Sequence, residues 1–121
     1  METIIIGKPA VNVYLPLQEF PNEGDVFHIN TKYESVGNVG ATSSCLLAKY
    51  GLKNHFTGVV GSDAYAEKIR NTFKEYGIDT KYMETNYEKG TVVNYMVLNT
   101  KNGITTKILY NYPENQLFKY K

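Results

Sequence analysis

The sequence contains one cysteine, Cys45, and no tryptophan among its 121 residues. A single cysteine can neither close an internal disulfide nor supply a metal site built from several thiolates. We therefore expect a reducing, cytoplasmic setting. The aromatic share consists largely of 11 tyrosines, whose apolar rings and polar hydroxyl groups suit half-buried strands and contact surfaces.

An excess of charge of either sign is also missing. Thirteen Lys and Arg residues stand against twelve Asp and Glu residues, which gives a formal net charge of +1 at pH 7. Binding to nucleic acid or to an anionic membrane depends on a basic surface. We therefore expect neither nucleic acid nor a membrane among the partners.

Long hydrophobic runs are absent as well. No apolar run approaches the length of a membrane span, and the amino-terminal residues lack the pattern of a signal peptide. Hydrophobic residues make up 42% and charged residues 21%, a balance typical of one folded domain with a modest core.

Strand and helix patterns alternate through much of the chain. The β-branched residues 4–6 predict a buried strand, and the apolar residues 56–60 predict another. Between them, apolar residues recur at helical spacing until Tyr50-Gly51 closes the helix. A second helix follows Ser62 or Asp63, either of which can cap it. Four residues form its predicted buried stripe: Tyr65, Ile69, Phe73 and Tyr76. This order indicates a parallel sheet.

Other segments alternate apolar and polar residues with a period of two. Four such strands are predicted: residues 11–17, 26–33, 91–98 and 104–110. Asn102-Gly103 is a strong hairpin turn between the last two. The pattern predicts a separate small sheet of half-exposed strands.

The segment Gly37-Asn38-Val39-Gly40-Ala41-Thr42 opens the first predicted helix. Free backbone N–H groups at a helix start, assisted by the helix dipole, can hold hydroxyl groups or an anion. A flexible turn before a helix explains the same pattern. The segment lacks the Gly-Lys-Ser/Thr that ends a Walker loop, and it lacks the three-glycine spacing of a dinucleotide-binding motif.

Other chemically capable residues have simpler interpretations. Asp63 is most simply an N-cap, and Cys45 lies on an apolar helix face, where a small core residue is expected. His28 and His55 lack acidic neighbours at ligand spacing, so a structural role fits each. No metal site, catalytic triad or spaced carboxylate pair stands out.

The order of these motifs resembles the amino-terminal part of the ribokinase-like, PfkB-type carbohydrate kinases. Seven segments carry the resemblance together, although each is weak alone: residues 4–12, 20–25, 37–42, 58–63, 77–80, 91–94 and 108–115. Within them, Asn12 corresponds to the polar residue that meets the sugar, and residues 37–42 correspond to the double-glycine sugar-binding loop.

The resemblance implies an α/β fold. It would consist of the start of a ribokinase-like parallel-sheet α/β domain plus a small β-sheet lid, truncated relative to the family. The α/β part would take about residues 1–10 and 36–84, and the lid strands about residues 11–35 and 90–112. In this family the lid covers the sugar and often pairs with a second lid, so a homodimer through the lid strands is implied.

The resemblance also implies a substrate-binding set, formed by Asn12, Gly37, Asn38, Gly40 and Thr42. The family usually has Asp at position 12, a second Gly at 38 and Asn at 42. Asn12 and Thr42 can still bond hydroxyl groups, but Asn12 cannot act as a charged acceptor.

The implied activity is ATP-dependent phosphoryl transfer to a hydroxyl of a small sugar, polyol or nucleoside. The catalytic Asp is expected beyond Lys121, and ATP and Mg²⁺ are expected for the full-length family member, with neither bound by residues of this chain. The chain, as the sugar-binding and lid portion, is then expected to be inactive alone. A non-catalytic module that binds a small polyol or dimerises is the alternative, and a coincidental likeness of an ordinary α/β domain is a third hypothesis.

Overall fold

A computed structural model of the chain describes residues 3–38 and 40–111, which contain eight strands and two helices. The elements in chain order are β1 (Thr3–Ile6), β2 (Ala10–Leu17), β3 (Tyr33–Gly37), α1 (Ala41–Lys49), β4 (Asn54–Thr57), β5 (Val59–Val60), α2 (Ala64–Glu75), β6 (Glu84–Thr85), β7 (Val92–Asn99) and β8 (Thr105–Tyr110). Neither α1 nor α2 combines the length and the apolar character that crossing a membrane requires. The ends of the predicted α/β and lid segments, at residues 1, 2 and 112, and residues 112–115 of the last motif lie outside the described residues.

Two short parallel strand pairs lie beside the helices. β1 pairs with β4, where Ile5 lies opposite Phe56, and β5 pairs with β6. The strand predicted at residues 56–60 is divided at Gly58. A Cβ at Gly58 would lie 2.7 Å from the carbonyl oxygen of Gly7, so this close approach of two segments admits only glycine.

The larger sheet has four strands in the order β3-β2-β7-β8. Its central strands β2 and β7 are parallel, and each has an antiparallel outer partner. One face of this sheet joins α2 in the main hydrophobic core, because alternate strand residues there are apolar. The strands contribute Val11, Val13 and Val93 to this core, and α2 contributes Ile69 and Phe73. The opposite face carries the polar Asn12 and Asn94 together with apolar side chains such as Met96.

The strand predicted at residues 26–33 is wrong. Residues 26–32 are neither helix nor strand, and pairing with β2 begins only at Tyr33, which lies opposite Tyr14. Val26 is 81% exposed. A strand forms where a neighbour accepts its backbone hydrogen bonds, and no described strand runs along these residues.

The predicted burial of β1 is wrong for one of its faces. Ile4 and Ile6 are 55% and 58% exposed, whereas Ile5 packs against the core. β1 has a single described neighbour, β4, and no described element covers its outer face. Tyr76 is the C-cap of α2 and is 45% exposed, so the predicted apolar stripe of this helix is shorter than expected.

Candidate functional site

Asn12 lies in the middle of β2 and faces Asn94 of β7. The two residues are direct partners in the parallel register, and Asn94 Nδ2 donates a hydrogen bond of 2.9 Å to Asn12 Oδ1. Asn94 is only 5% exposed. Because Val11 and Val93 point into the core with α2, alternation places both amides on the opposite face of the sheet.

The end of β3 lies directly beside Asn12. A Cβ at Gly37 would be 2.6 Å from Asn12 Nδ2, so the amide occupies the space that a side chain would need. The next residue, Asn38, has a φ of 76°, a left-handed conformation that Asn tolerates better than most residues. This turn brings Asn38 to the cavity that Asn12 and Asn94 line.

These side chains surround an open cavity of about 320 Å³, which is at the lower end of the range for small-molecule sites. Among the described residues, three amides, two apolar side chains and one lysine line it: Asn12, Asn38, Asn94, Met96, Leu109 and Lys107. Of the predicted substrate-binding residues, Asn12 and Asn38 line this cavity, and Gly37 lies against Asn12.

Two amide atoms at the cavity are buried without a hydrogen-bond partner. They are Asn38 Nδ2, a donor, and Asn94 Oδ1, an acceptor. A buried polar atom without a partner costs about 1–3 kcal/mol. A ligand hydroxyl group can accept a hydrogen bond from the first atom or donate one to the second, so a polyhydroxylated molecule suits this pair.

The other two predicted site residues, Gly40 and Thr42, lie at the start of α1 and outside the cavity lining. Gly40 has a φ of 81° and is the N-cap of α1, and its carbonyl oxygen accepts a hydrogen bond from the Ser44 N–H. A Cβ at Gly40 would lie 3.2 Å from the Cα of Gly7. Thr42 lines a separate groove of about 560 Å³ between α1, α2 and β3.

Sequence reasoning missed the lining residues on β7 and β8. Asn94 lies opposite Leu109, and Met96 lies opposite Lys107, in the antiparallel register of these two strands. Only this register brings the four side chains to one face. The available signal was Asn94 itself, a single polar residue in the otherwise apolar run of residues 92–98.

Asp63 caps α2, as predicted, and also ties the helix to β7. Its carboxylate accepts hydrogen bonds from the Thr91 hydroxyl at 2.6 Å, from the Thr91 N–H at 2.9 Å and from the Ala66 N–H at 2.9 Å. Burial acts to raise the pKa of the Asp63 carboxyl, but these donors outweigh it and hold the pKa below its usual value. The contacts fit a structural role.

The remaining candidates line no part of the cavity. His55 Nδ1 lies 3.1 Å from the Asp79 carboxylate, a pairing that sequence spacing did not predict. The Lys81 N–H hydrogen bond is the largest influence that lowers the pKa of Asp79. Cys45 packs against the core, and burial raises the pKa of its thiol. Among residues 3–38 and 40–111, no group of His, Cys, Asp or Glu side chains could hold a metal ion.

Comparison with known proteins identifies the family to which this chain belongs. The model of the pfkB family of carbohydrate kinases matches residues 4–120. The chain belongs to the pfkB family. This confirms the resemblance that the order of motifs indicated, and the match covers almost the whole chain.

Relatives within the pfkB family include ribokinases from distant organisms. The ribokinase of Bacillus subtilis (strain 168) is 31% identical over 90 residues, which cover 72% of this chain and 30% of that protein. The Arabidopsis thaliana ribokinase, in a complex with ribose and ATP, superposes with a TM-score of 0.80 at 21% identity, over 88% of this chain and 35% of that one.

The Giardia lamblia ribokinase superposes with a TM-score of 0.81 at 19% identity, over 89% of this chain and 35% of that one. These superpositions confirm the predicted ribokinase-like α/β fold. The chain spans about a third of the length of the relatives it matches.

Proposed function

We propose that the chain forms the sugar-binding and lid portion of an ATP-dependent pfkB-family kinase. The reaction is transfer of a phosphoryl group to a hydroxyl of a small sugar or polyol. Membership of a carbohydrate kinase family supports the reaction class. The cavity between β2, β7 and β8 supports the assignment of substrate binding to this part of the protein.

The two unpartnered amide atoms are the observation that carries the proposal. Asn38 Nδ2 and Asn94 Oδ1 are buried, and the residues that carry this donor and this acceptor both line the cavity. Hydroxyl groups of a sugar can form hydrogen bonds with both amide atoms. These hydrogen bonds then contribute to the affinity for a polyol. The N–H groups at the start of α1, whose N-cap Gly40 provides no side-chain cap, add further donors near the loop.

The four-stranded sheet is proposed to act as the lid. Met96 and Leu109 give the cavity an apolar wall beside its amides. Such a wall excludes water from the substrate hydroxyl, and the amides orient that hydroxyl for transfer. The residues of this chain therefore bind, orient and shield the acceptor.

The nucleotide and the general base are proposed to lie outside these 121 residues. The Arabidopsis ribokinase is complexed with ATP, and we expect the same phosphoryl donor, with Mg²⁺, for the native protein. The described residues do not fit a metal ion, because they contain no suitable group of His, Cys, Asp or Glu side chains. No step of the transfer is assigned to them.

An assay of ADP release tests this division of roles. The native gene product that contains this chain should turn over ATP with at least one member of a panel of sugars, polyols, nucleosides and sugar phosphates. The 121-residue chain alone should show no turnover, because the base and the phosphate contacts that the transfer needs are proposed to lie outside it. Turnover by the chain alone, abolished by a substitution within it, would overturn the proposal. Calorimetric binding of a polyol by the native gene product without any turnover would favour a non-catalytic binding module.

A further inference from the structure

On the basis of the proposed function, we infer that Ser44 and Asn54 are positioning residues for the binding of the acceptor. They hold the first turn of α1 against β4, and so fix the turn that carries Asn38 to the cavity. Neither is among the described residues that line the cavity, so both act through Asn38. Their buried hydrogen bonds, the close seating of Gly40 and the backbone of the turn before α1 support this role.

Ser44 and Asn54 form a polar contact within the apolar packing of α1 against β4. Their exposed fractions are 0% and 3%. The Ser44 hydroxyl donates a hydrogen bond to Asn54 Oδ1, and Asn54 Nδ2 donates to the carbonyl oxygens of Ser44 at 3.2 Å and of Leu52 at 3.3 Å. The same faces of the two elements carry Ala41 and Phe56, which belong to the main core. The Asn54 amide therefore contacts both the side chain and the backbone of one helical residue.

These hydrogen bonds restrict the position of α1 more than apolar packing alone would. Hydrophobic contact has no preferred direction, whereas a hydrogen bond requires a particular distance and angle. The Ser44 N–H donates to the carbonyl oxygen of the N-cap Gly40 at 2.8 Å, so the contact with Asn54 also sets the position of the N-cap. Asn54 lies opposite Thr3 in the register of β4 with β1. The start of α1 is thereby tied to this strand pair.

Gly40 and Asn38 connect this contact to the cavity. A Cβ at Gly40 would lie 3.2 Å from Ile5 Cγ2, so the start of α1 lies directly on β1. Asn38 and Gly40 both have a positive φ, of 76° and 81°, and Gly37 pairs with Ala10 of β2. Because the turn is held at both ends, a shift of α1 moves Asn38, whose buried Nδ2 is a proposed donor to the acceptor.

Steady-state kinetics of Ser44→Ala in the native gene product test the positioning role. D-ribose, D-fructose, glycerol, adenosine and fructose 6-phosphate are assayed with ATP, and the acceptor with the highest kcat/KM is the probe. Ser44→Ala should raise the KM of this probe about tenfold, because a misplacement of about 1 Å can cost up to about a hundredfold, and should leave the KM of ATP unchanged. Thr57→Val is the matched control, because the Thr57 hydroxyl on β4 donates to the Tyr82 carbonyl oxygen and not to α1.

The double variant Ser44→Ala/Asn54→Leu separates positioning from stability. Ser44→Ala alone leaves Asn54 Oδ1 buried without its donor and should lower the urea midpoint of unfolding. Replacement of both partners by apolar groups should restore most of that midpoint. The directional hydrogen bonds remain absent, so the KM of the probe should stay about tenfold above that of the native protein. Recovery of KM together with the midpoint would indicate a structural role alone and overturn the inference.

Asn38→Ala tests whether the effect passes through Asn38. In this background, Ser44→Ala should change the KM of the probe less than about twofold, because residues that act through one another are not additive. An undiminished effect there, or an unchanged KM of Ser44→Ala in the otherwise native protein, would overturn the inference and leave the proposed kinase function standing. Failure to phosphorylate any of the five acceptors would reject the proposed function and this inference together.

Discussion

Asn12 fixes the orientation of the Asn94 amide, and so determines which of its two polar atoms lacks a partner. The hydrogen bond from Asn94 Nδ2 occupies Asn12 Oδ1 and leaves Asn94 Oδ1 as the free acceptor. Side-chain amides do not titrate in the physiological range. The pair therefore presents the same pattern of donors and acceptors at every pH at which the protein works.

Asn12→Ala should weaken sugar binding by the native gene product about tenfold or more, while its affinity for ATP stays unchanged. The substitution removes one amide from the cavity lining and the acceptor that orients Asn94 Nδ2, and each hydrogen bond that the sugar then fails to make costs about 1–3 kcal/mol. Calorimetric titrations with the sugar and with ATP measure the two affinities. Asn71→Ala is the matched control, because Asn71 is exposed on α2. Equal sugar affinity in the two variants would remove Asn12 from the site.

The site residues differ in how much their placement depends on residues that are distant in the sequence. Asn12 and Asn38 could be predicted, because each belongs to a local motif in a recognisable order. Asn94 and Lys107 could not, because they reach the cavity only through strand registers. Asn12 and Asn94 are 82 positions apart, and no local pattern records which residues will face each other across that distance.

At the level of secondary structure elements, the junction of α2 with β7 depends on Asp63. Asp63→Ala should lower the free energy of unfolding at pH 7 by about 2 kcal/mol, because it removes an N-cap and leaves the Thr91 donors without their acceptor. Urea denaturation of the native gene product measures the change. Ser62→Ala is the control, because the side-chain cap of α2 comes from Asp63, and little change is expected there. Equal losses in both variants would contradict the assignment.

The same junction should respond to acid. The folded-state pKa of Asp63 lies below its ordinary value, so its charge stabilises the fold above the unfolded-state pKa of about 3.9. That contribution is lost as the pH falls through the folded-state pKa. The difference in unfolding free energy between the native protein and Asp63→Ala should therefore shrink between pH 5 and pH 2. A constant difference over this range would show that the carboxylate charge plays no part.

The helices and the β7–β8 hairpin were predictable because their signals are local. Asp63 begins α2, Gly77 ends it with a φ of 73°, and Gly103 in the hairpin turn has a φ of 74°. Residues 26–33 show the limit of such signals. Their alternation of apolar and polar residues is typical of a strand. A strand also needs a neighbouring strand to pair with, and a local pattern does not show whether one is present.

At the level of the whole molecule, large apolar side chains are exposed on the outer strands of the four-stranded sheet and at the turn before β8. They are Tyr33, Ile104, Ile108, Leu109 and Tyr110, each between 49% and 62% exposed. Such surfaces and open strand edges favour association with a second copy. The native gene product should therefore sediment as a dimer at high micromolar concentration.

Ile108→Glu should shift this equilibrium towards the monomer, because it places a charge on the outer strand β8. Leu52→Glu is the control for added charge, since Leu52 is 42% exposed in the segment between α1 and β4. A monomeric native protein, or equal dissociation in both variants, would exclude these strands as the interface.

The parallel pairing of β2 with β7 also delays formation of the sheet while the chain is being synthesised. The two strands meet across about 82 residues of intervening chain, so a ribosome that adds about 5–20 residues per second needs about 4–16 s between them. During that interval the emerging β2 exposes Val11 and Val13, which are buried in the finished protein, to chaperones. Sheet closure across so long a loop is slow. The ligand cavity forms only when β7 and β8 dock, so a bound sugar stabilises their docking by mass action.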